Sequence, residues 1–330
     1  MSSIHYLDDN GRPKEKSSVR DSSFKTQPAL KSIQPVGFPP LPMDWVSEWD
    51  SFLSADGKLQ LNSAFHHAKN WKHGKVLIVL HGLGEHGGRY LHFPHFMRNV
   101  VDGVYCPDHR GHGRSQGLRG HVDRFDLYRE DAALAISRLY QSLKGRFEKP
   151  ELHLLGHSMG GLIALRTLSQ FGELPIQSAT LSAPLLAIKA KVPWVKKTAG
   201  LLLKKVWGTL QLNTELDPKD LSHDPNVAIA YQKDRLVHKK VTSQFFSELH
   251  DAMADTLHQT TSLACPVSFL IPLQDRIVDS EVALHFFQFV KHHDKSLKTY
   301  PEFFHEPMNE IGKEAFFEDL CQWIQAHSQI

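Results

Sequence analysis

The 330-residue sequence predicts an α/β fold with a largely parallel central sheet and helices on both faces. Three observations carry that expectation. Short apolar runs bounded by turn residues recur along the chain, helix-length stretches separate most of them, and the chain ends in an amphipathic segment suited to docking.

The elements follow in order. Residues 1–44 are polar and rich in turn formers ("DDNGRPKEKSSVRDSSFK", then "PVGFPPLP"). Few apolar side chains are there to offset the entropy of ordering, so a flexible or loosely docked arm is expected. From Trp45 the texture changes, and residues 45–330 read as one folded domain. Its predicted strands are "VLIVL" (76–80), "GVYC" (103–106), "LHLLG" (152–156), "ATLSA" (179–183), "VSFLI" (267–271) and "LKTYP" (297–301). In "DLYREDAALAISRLYQSLK" (126–144), Leu127, Ala132, Ala135, Leu139 and Leu143 recur at helical spacing. Phe316, Phe317, Leu320, Trp323 and Ile324 share one face of a final helix. Between "SAPL" (182–185) and "ACPV" (264–267) no convincing strand occurs. That interval, about 185–255, is expected to be a helical cap inserted over the end of the sheet.

Composition excludes several classes. A net charge of +2 gives no support for nucleic-acid binding. The three cysteines each sit in or beside an apolar run, as buried thiols of a reducing compartment do. No apolar run reaches the ~18 residues of a membrane span, and the N-terminus lacks the apolar core of a secretory signal. A cytoplasmic protein is the expectation. His109 and His112 lack the further ligands of a zinc site, and no metal or cofactor is implied. His66, His67, His292 and His293 read as solvated faces or loops.

Two stretches match G-x-S-x-G: "GRSQG" (113–117) and "GHSMG" (156–160). A nucleophile elbow needs a strand before it and a helix after it, because that turn lifts the hydroxyl beyond the sheet. Ser158 follows "LHLL" and precedes the helix-like "GGLIALRTLSQF". Ser115 is loop-like on both sides and reads as a tight turn. A serine also needs a base, an orienting acid and oxyanion donors. The turn "HGLGEHGGRY" after the first apolar strand offers the N–H of Leu83, and the residue after the nucleophile offers that of Met159. "VSFLIPLQDRIVDS" offers two acids. Asp275 lies just beyond a strand, whereas Asp279 is placed to cap the helix that follows. The base must come after the next strand, where "FFHEPMNE" (303–310) supplies His305. That stretch is not H-E-x-x-H: Asn309 stands at the second histidine, and Pro307 breaks the helix such a pair needs.

Taken together, "HGLGEHGGRY", "DHRGHGRSQG", "GHSMGG", "QDRIVD" and "HEPMNE" resemble the monoacylglycerol lipase and lysophospholipase branch of the α/β-hydrolases, over residues 48–326. The resemblance implies a Ser158–Asp275–His305 triad with Leu83 and Met159 as oxyanion donors. It implies hydrolysis of monoacylglycerols through an acyl-enzyme, with lysophospholipids as the alternative substrate and a catalytically silent ligand-binding relative as a remote one. It also places the polar end of a substrate pocket at Glu85, Arg89, His157 and Tyr231. The chain departs from relatives similar to the mammalian lipase at Met308, where they carry a second histidine, and at Leu83, where alanine is frequent.

Within the insertion, residues 188–213 hold six lysines and no acid. At 100° per residue, Val195, Ala199, Leu202, Leu203, Val206 and Leu210 fall on one face and Lys197, Lys204 and Lys205 on the other, with Lys196 and Trp207 at the boundary. Such a helix suits peripheral contact with a membrane, from which a lipid ester is drawn.

Overall fold

The computed structural model describes residues 32–189, 207–214, 216–258 and 262–329. Two antiparallel strands that the sequence did not announce open the sheet, β1 (Trp45–Leu53) and β2 (Gln60–Ala68). β1 is half-exposed and carries Glu48 and Asp50 on either side of Trp49, so no continuous apolar run marks it. Each predicted run is a strand: β3 (Lys75–Leu80), β4 (Gly103–Pro107), β5 (Glu151–His157) and β6 (Ile176–Ser182). After the insertion, which holds β7 (Gln211–Asn213) and β8 (Lys240–Thr242), come β9 (Val267–Pro272) and β10 (Lys295–Tyr300). The main sheet has eight strands in the order β1-β2-β4-β3-β5-β6-β9-β10, parallel from β4 to β10.

Alternation along β3 explains why both faces are covered. Val76, Ile78 and Leu80 enter one core, while Leu77 and Val79 enter another across the sheet. Helices Asp126–Lys144, Met159–Gln170 and Ser280–Phe289 close the first with Tyr128, Leu162 and Phe286. Phe93–Met97 and the final helix Glu314–Ala326 close the second with Phe93, Phe316 and Phe317.

The insertion between β6 and β9 contains helices Pro225–Lys233 and Ser243–His258, as a helical cap requires. It also contains the antiparallel β7–β8 pair, which is too short to carry a readable alternation. A small separate core of Leu221, Val227 and Tyr231 belongs to this part, with Phe38 packed on it. Ser243–His258 instead sends Phe245, Leu249 and Met253 into the larger core. Most of the basic amphipathic segment, including Val195 to Val206, lies outside the described residues.

Residues 32–44 form no helix and no strand before Trp45, but they are held. Gln34 Nε2 donates to the Gly88 carbonyl at 2.9 Å, and Phe38 meets the His92 ring edge-on at 4.9 Å. One histidine expected at a solvated face is not there. His66 on β2 is buried, its Nδ1 lies 2.7 Å from Ser47 Oγ, and burial lowers its pKa to about 4. A register that turns His66 inward is set by strand pairing, which the local sequence does not reveal.

Candidate active site

Ser158 joins the end of β5 to the helix Met159–Gln170 and has φ 54° and ψ −119°, a backbone conformation unfavourable for a residue with a Cβ. Its neighbours hold it there. Ser158 N–H donates to the Ser182 carbonyl at 3.0 Å, and its own carbonyl accepts from Leu185 and Gly161, each at 2.9 Å. The helix can pass so close under the sheet only because of its glycines. A Cβ on Gly160 would lie 2.0 Å from the Leu80 oxygen, and one on Gly161 would lie 2.9 Å from Pro184 Cα.

The loop after β10 brings His305 to this hydroxyl. His305 Nε2 lies 3.0 Å from Ser158 Oγ, and Nδ1 lies 2.7 Å from Asp275 Oδ2. An ionised carboxylate only accepts, so Nδ1 carries the proton and Nε2 is free to accept from the serine. Asp275, fully buried past the end of β9, is aimed by its other oxygen, which accepts from the N–H groups of Ile277 (2.8 Å) and Val278 (3.0 Å). Asp279 does something else: it caps Ser280–Phe289 by accepting from Glu281 N–H.

Burial alone would depress the His305 pKa. The charge and hydrogen bond of Asp275, with Glu306 and Glu85 contributing, more than offset that and hold it above its ordinary value. Burial pushes Asp275 up, but His305 and the two N–H donors win and keep it below the ordinary carboxylate value. His157, with its ring centroid 4.9 Å from that of His305, goes the other way. Burial and then the His305 charge lower its pKa to about 4, so it is neutral at pH 7.

A cavity of about 140 Å³ opens over Ser158 and His305. Leu83 lines it, and Met159 is the first residue of its helix, so its N–H lies outside the helix's own hydrogen-bond ladder. Glu85, Arg89, His157 and Tyr231 line the same cavity. Arg89 is held between carboxylates: Nη1 donates to Glu85 and, at 2.7 Å, to Glu306, and Nη2 donates to Glu306 at 2.8 Å. The Tyr231 ring covers the guanidinium at 5.0 Å. Sequence reasoning missed Glu306, whose only signal is its place beside His305. Met308 is buried among apolar side chains of the second core and does not line the cavity.

Ser115 lies elsewhere. Its buried hydroxyl donates to the Asp108 carbonyl at 2.6 Å and accepts from Asn62 N–H at 2.9 Å, so it stitches a loop to β2. His109 packs on His81, its backbone N–H donating to His81 Nε2 at 3.0 Å.

The chain is similar to known proteins over most of its length. The family described as serine aminopeptidase, S33 (Hydrolase_4) matches residues 72–312. A monoacylglycerol lipase of Mycolicibacterium smegmatis is 29% identical over 76% of this chain and 88% of its own. The phospholipase YtpA of Bacillus subtilis is 28% identical over 74% of this chain and 92% of its own. Among solved structures, the monoacylglycerol lipase of Paleococcus ferrophilus superposes with a TM-score of 0.70. It is 28% identical, and the match covers 81% of this chain and 99% of that one.

Proposed function

The chain belongs to the Hydrolase_4 family, among the α/β-hydrolases of the monoacylglycerol lipase type, and on that premise we propose that it cleaves monoacylglycerols to fatty acid and glycerol. The observation that carries this reading is the hydrogen-bonded series Ser158–His305–Asp275 at the floor of a cavity with one polar wall.

In the first half-reaction Ser158 Oγ attacks the ester carbonyl carbon while His305 Nε2 takes its proton. Asp275 holds the tautomer and stabilises the imidazolium. The oxyanion lies between the N–H groups of Leu83 and Met159, outside the α-helical ladder and therefore open to a ligand. Collapse breaks the bond to the glycerol oxygen, which leaves with the proton from His305. Water then repeats the sequence on the acyl-enzyme. The polar wall receives the glycerol hydroxyls: Glu85 and Glu306 can accept, and buried His157 Nδ1 has no protein partner among the described residues.

Wild type and Ser158→Ala should be compared on mono-, di- and triacylglycerol and on lysophosphatidylcholine of equal chain length. Monoacylglycerol is expected to be the preferred substrate, and Ser158→Ala should reduce its turnover by ~10³-fold or more. Full activity in Ser158→Ala, or preference for lysophosphatidylcholine, would sink this reading.

A further inference from the structure

We propose that Glu306 sets the head-group selectivity of this site: by occupying the fork of Arg89 it leaves the polar wall with excess negative charge, which admits an uncharged polyol and rejects an anionic alcohol portion. The inference rests on the cavity over Ser158 being the seat of the scissile ester.

An arginine in a pocket is ordinarily a ligand for phosphate or carboxylate, because its planar fork matches two oxygens at once. Here that fork is occupied by Glu306 Oε1 and Oε2, and Glu85 takes a further Nη1 bond. Both carboxylates are buried, at 3% and 2% exposure, and each has another donor that keeps it in place. Tyr90 donates its hydroxyl to Glu85 at 2.9 Å, and Asn309 Nδ2 donates to Glu306 at 2.7 Å. The guanidinium is covered by Tyr231 on one face, so little of it is left for a ligand. Two carboxylates around one guanidinium leave a single negative charge, and His157 brings no compensating proton. Asp217, Asp220 and Arg276 also line the cavity, and Arg276 pairs with Asp220 at 3.3 Å. Among the described residues, the cavity lining thus carries four carboxylates against two guanidinium groups.

For an uncharged polyol this wall is favourable, since carboxylate oxygens accept hydroxyl protons without a change of charge. A phosphate monoester would meet like charge in a water-poor space and find its arginine already engaged. Replacing Glu306 by glutamine keeps the shape of the wall, removes one negative charge and weakens one side of the clamp on Arg89.

The test measures kcat/KM for 1-oleoylglycerol and for its 3-phosphate in the same detergent micelles, and for the soluble butyrate esters of glycerol and glycerol phosphate. Wild type should favour the uncharged member of each pair. Glu306→Gln should narrow that ratio roughly tenfold or more, and Glu306→Asp, which keeps the charge, should restore much of it. A merely structural role would lower both rates together and leave the ratio alone. An unchanged ratio in folded Glu306→Gln overturns the proposal, as does a wild type that turns over both members equally, which needs no variant to fold. Should wild type ignore both oleoyl esters and cleave the butyrates, the monoacylglycerol reading fails while the butyrate pair still decides the role of Glu306.

Discussion

His305 lies between two influences of opposite sign, and its position can be read in a pH profile. Burial disfavours the imidazolium, the Asp275 carboxylate favours it, and the carboxylate wins. Only the neutral imidazole accepts the serine proton, so kcat/KM should fall as pH drops through a midpoint above 6.5, the ordinary histidine value. Asp275→Asn removes the stabilising charge and leaves the burial, so that midpoint should move to lower pH. The same variant misorients the imidazole and should cost ~10³–10⁴-fold in kcat at pH 8. A pH–rate series on both proteins checks the two effects, and a midpoint unmoved by Asp275→Asn would count against Asp275 as the partner of His305. His305 was legible in the sequence because the order of strand ends admits one histidine after the acid. Glu306, one residue on, was not. Its importance depends on Arg89, 217 positions earlier, turning toward it.

Among the elements, the two G-x-S-x-G stretches differ in what surrounds them, and that difference was already visible as strand and helix patterns. β5 and the helix after it hold Ser158 in a strained turn that lines the cavity, whereas Ser115 spends its hydroxyl on the backbone of Asp108 and Asn62. Ser115→Ala should therefore cost stability and spare chemistry. Losing these bonds in a buried loop is worth about 1–3 kcal/mol, so thermal denaturation should begin several degrees lower while kcat on a soluble ester stays near wild type. A loss of activity as large as that of Ser158→Ala, in folded protein, would overturn the separation. The loop after β10 shows the limit of element-level reading. "FFHEPMNE" breaks up into single turns whose shape is set from outside: Glu306 N–H donates to the Leu221 carbonyl at 2.8 Å, and Glu310 accepts from the N–H groups of Phe304 and His223. The insertion thus braces the histidine's loop.

At the scale of the whole molecule, no helix among the described residues is long and apolar enough to cross a membrane, and the proposed lipid substrate raises the question of which surface presents it. We propose the basic segment 188–213 as the contact with that surface; Trp207 within it is 60% exposed. Replacing Lys196, Lys197, Lys204 and Lys205 together by glutamine should weaken binding to anionic vesicles while preserving hydrolysis of a soluble butyrate ester. Equal vesicle binding by both proteins in a flotation assay would remove the membrane role. What the sequence by itself determined was whatever repeats along the chain or obeys chain order. Apolar runs announce the parallel strands of the centre, and the succession of elbow, acid loop and histidine loop picks out the three side chains that the structure joins by hydrogen bonds. The tertiary structure alone decided which polar groups face one another: the antiparallel pairing of β1 with β2, the inward turn of His66, and the clamp of Glu85 and Glu306 on Arg89. The physical reason is that burial and ion pairing are properties of contacts between distant segments, and a charged side chain reads the same in a sequence whether it ends in water or against its counter-ion.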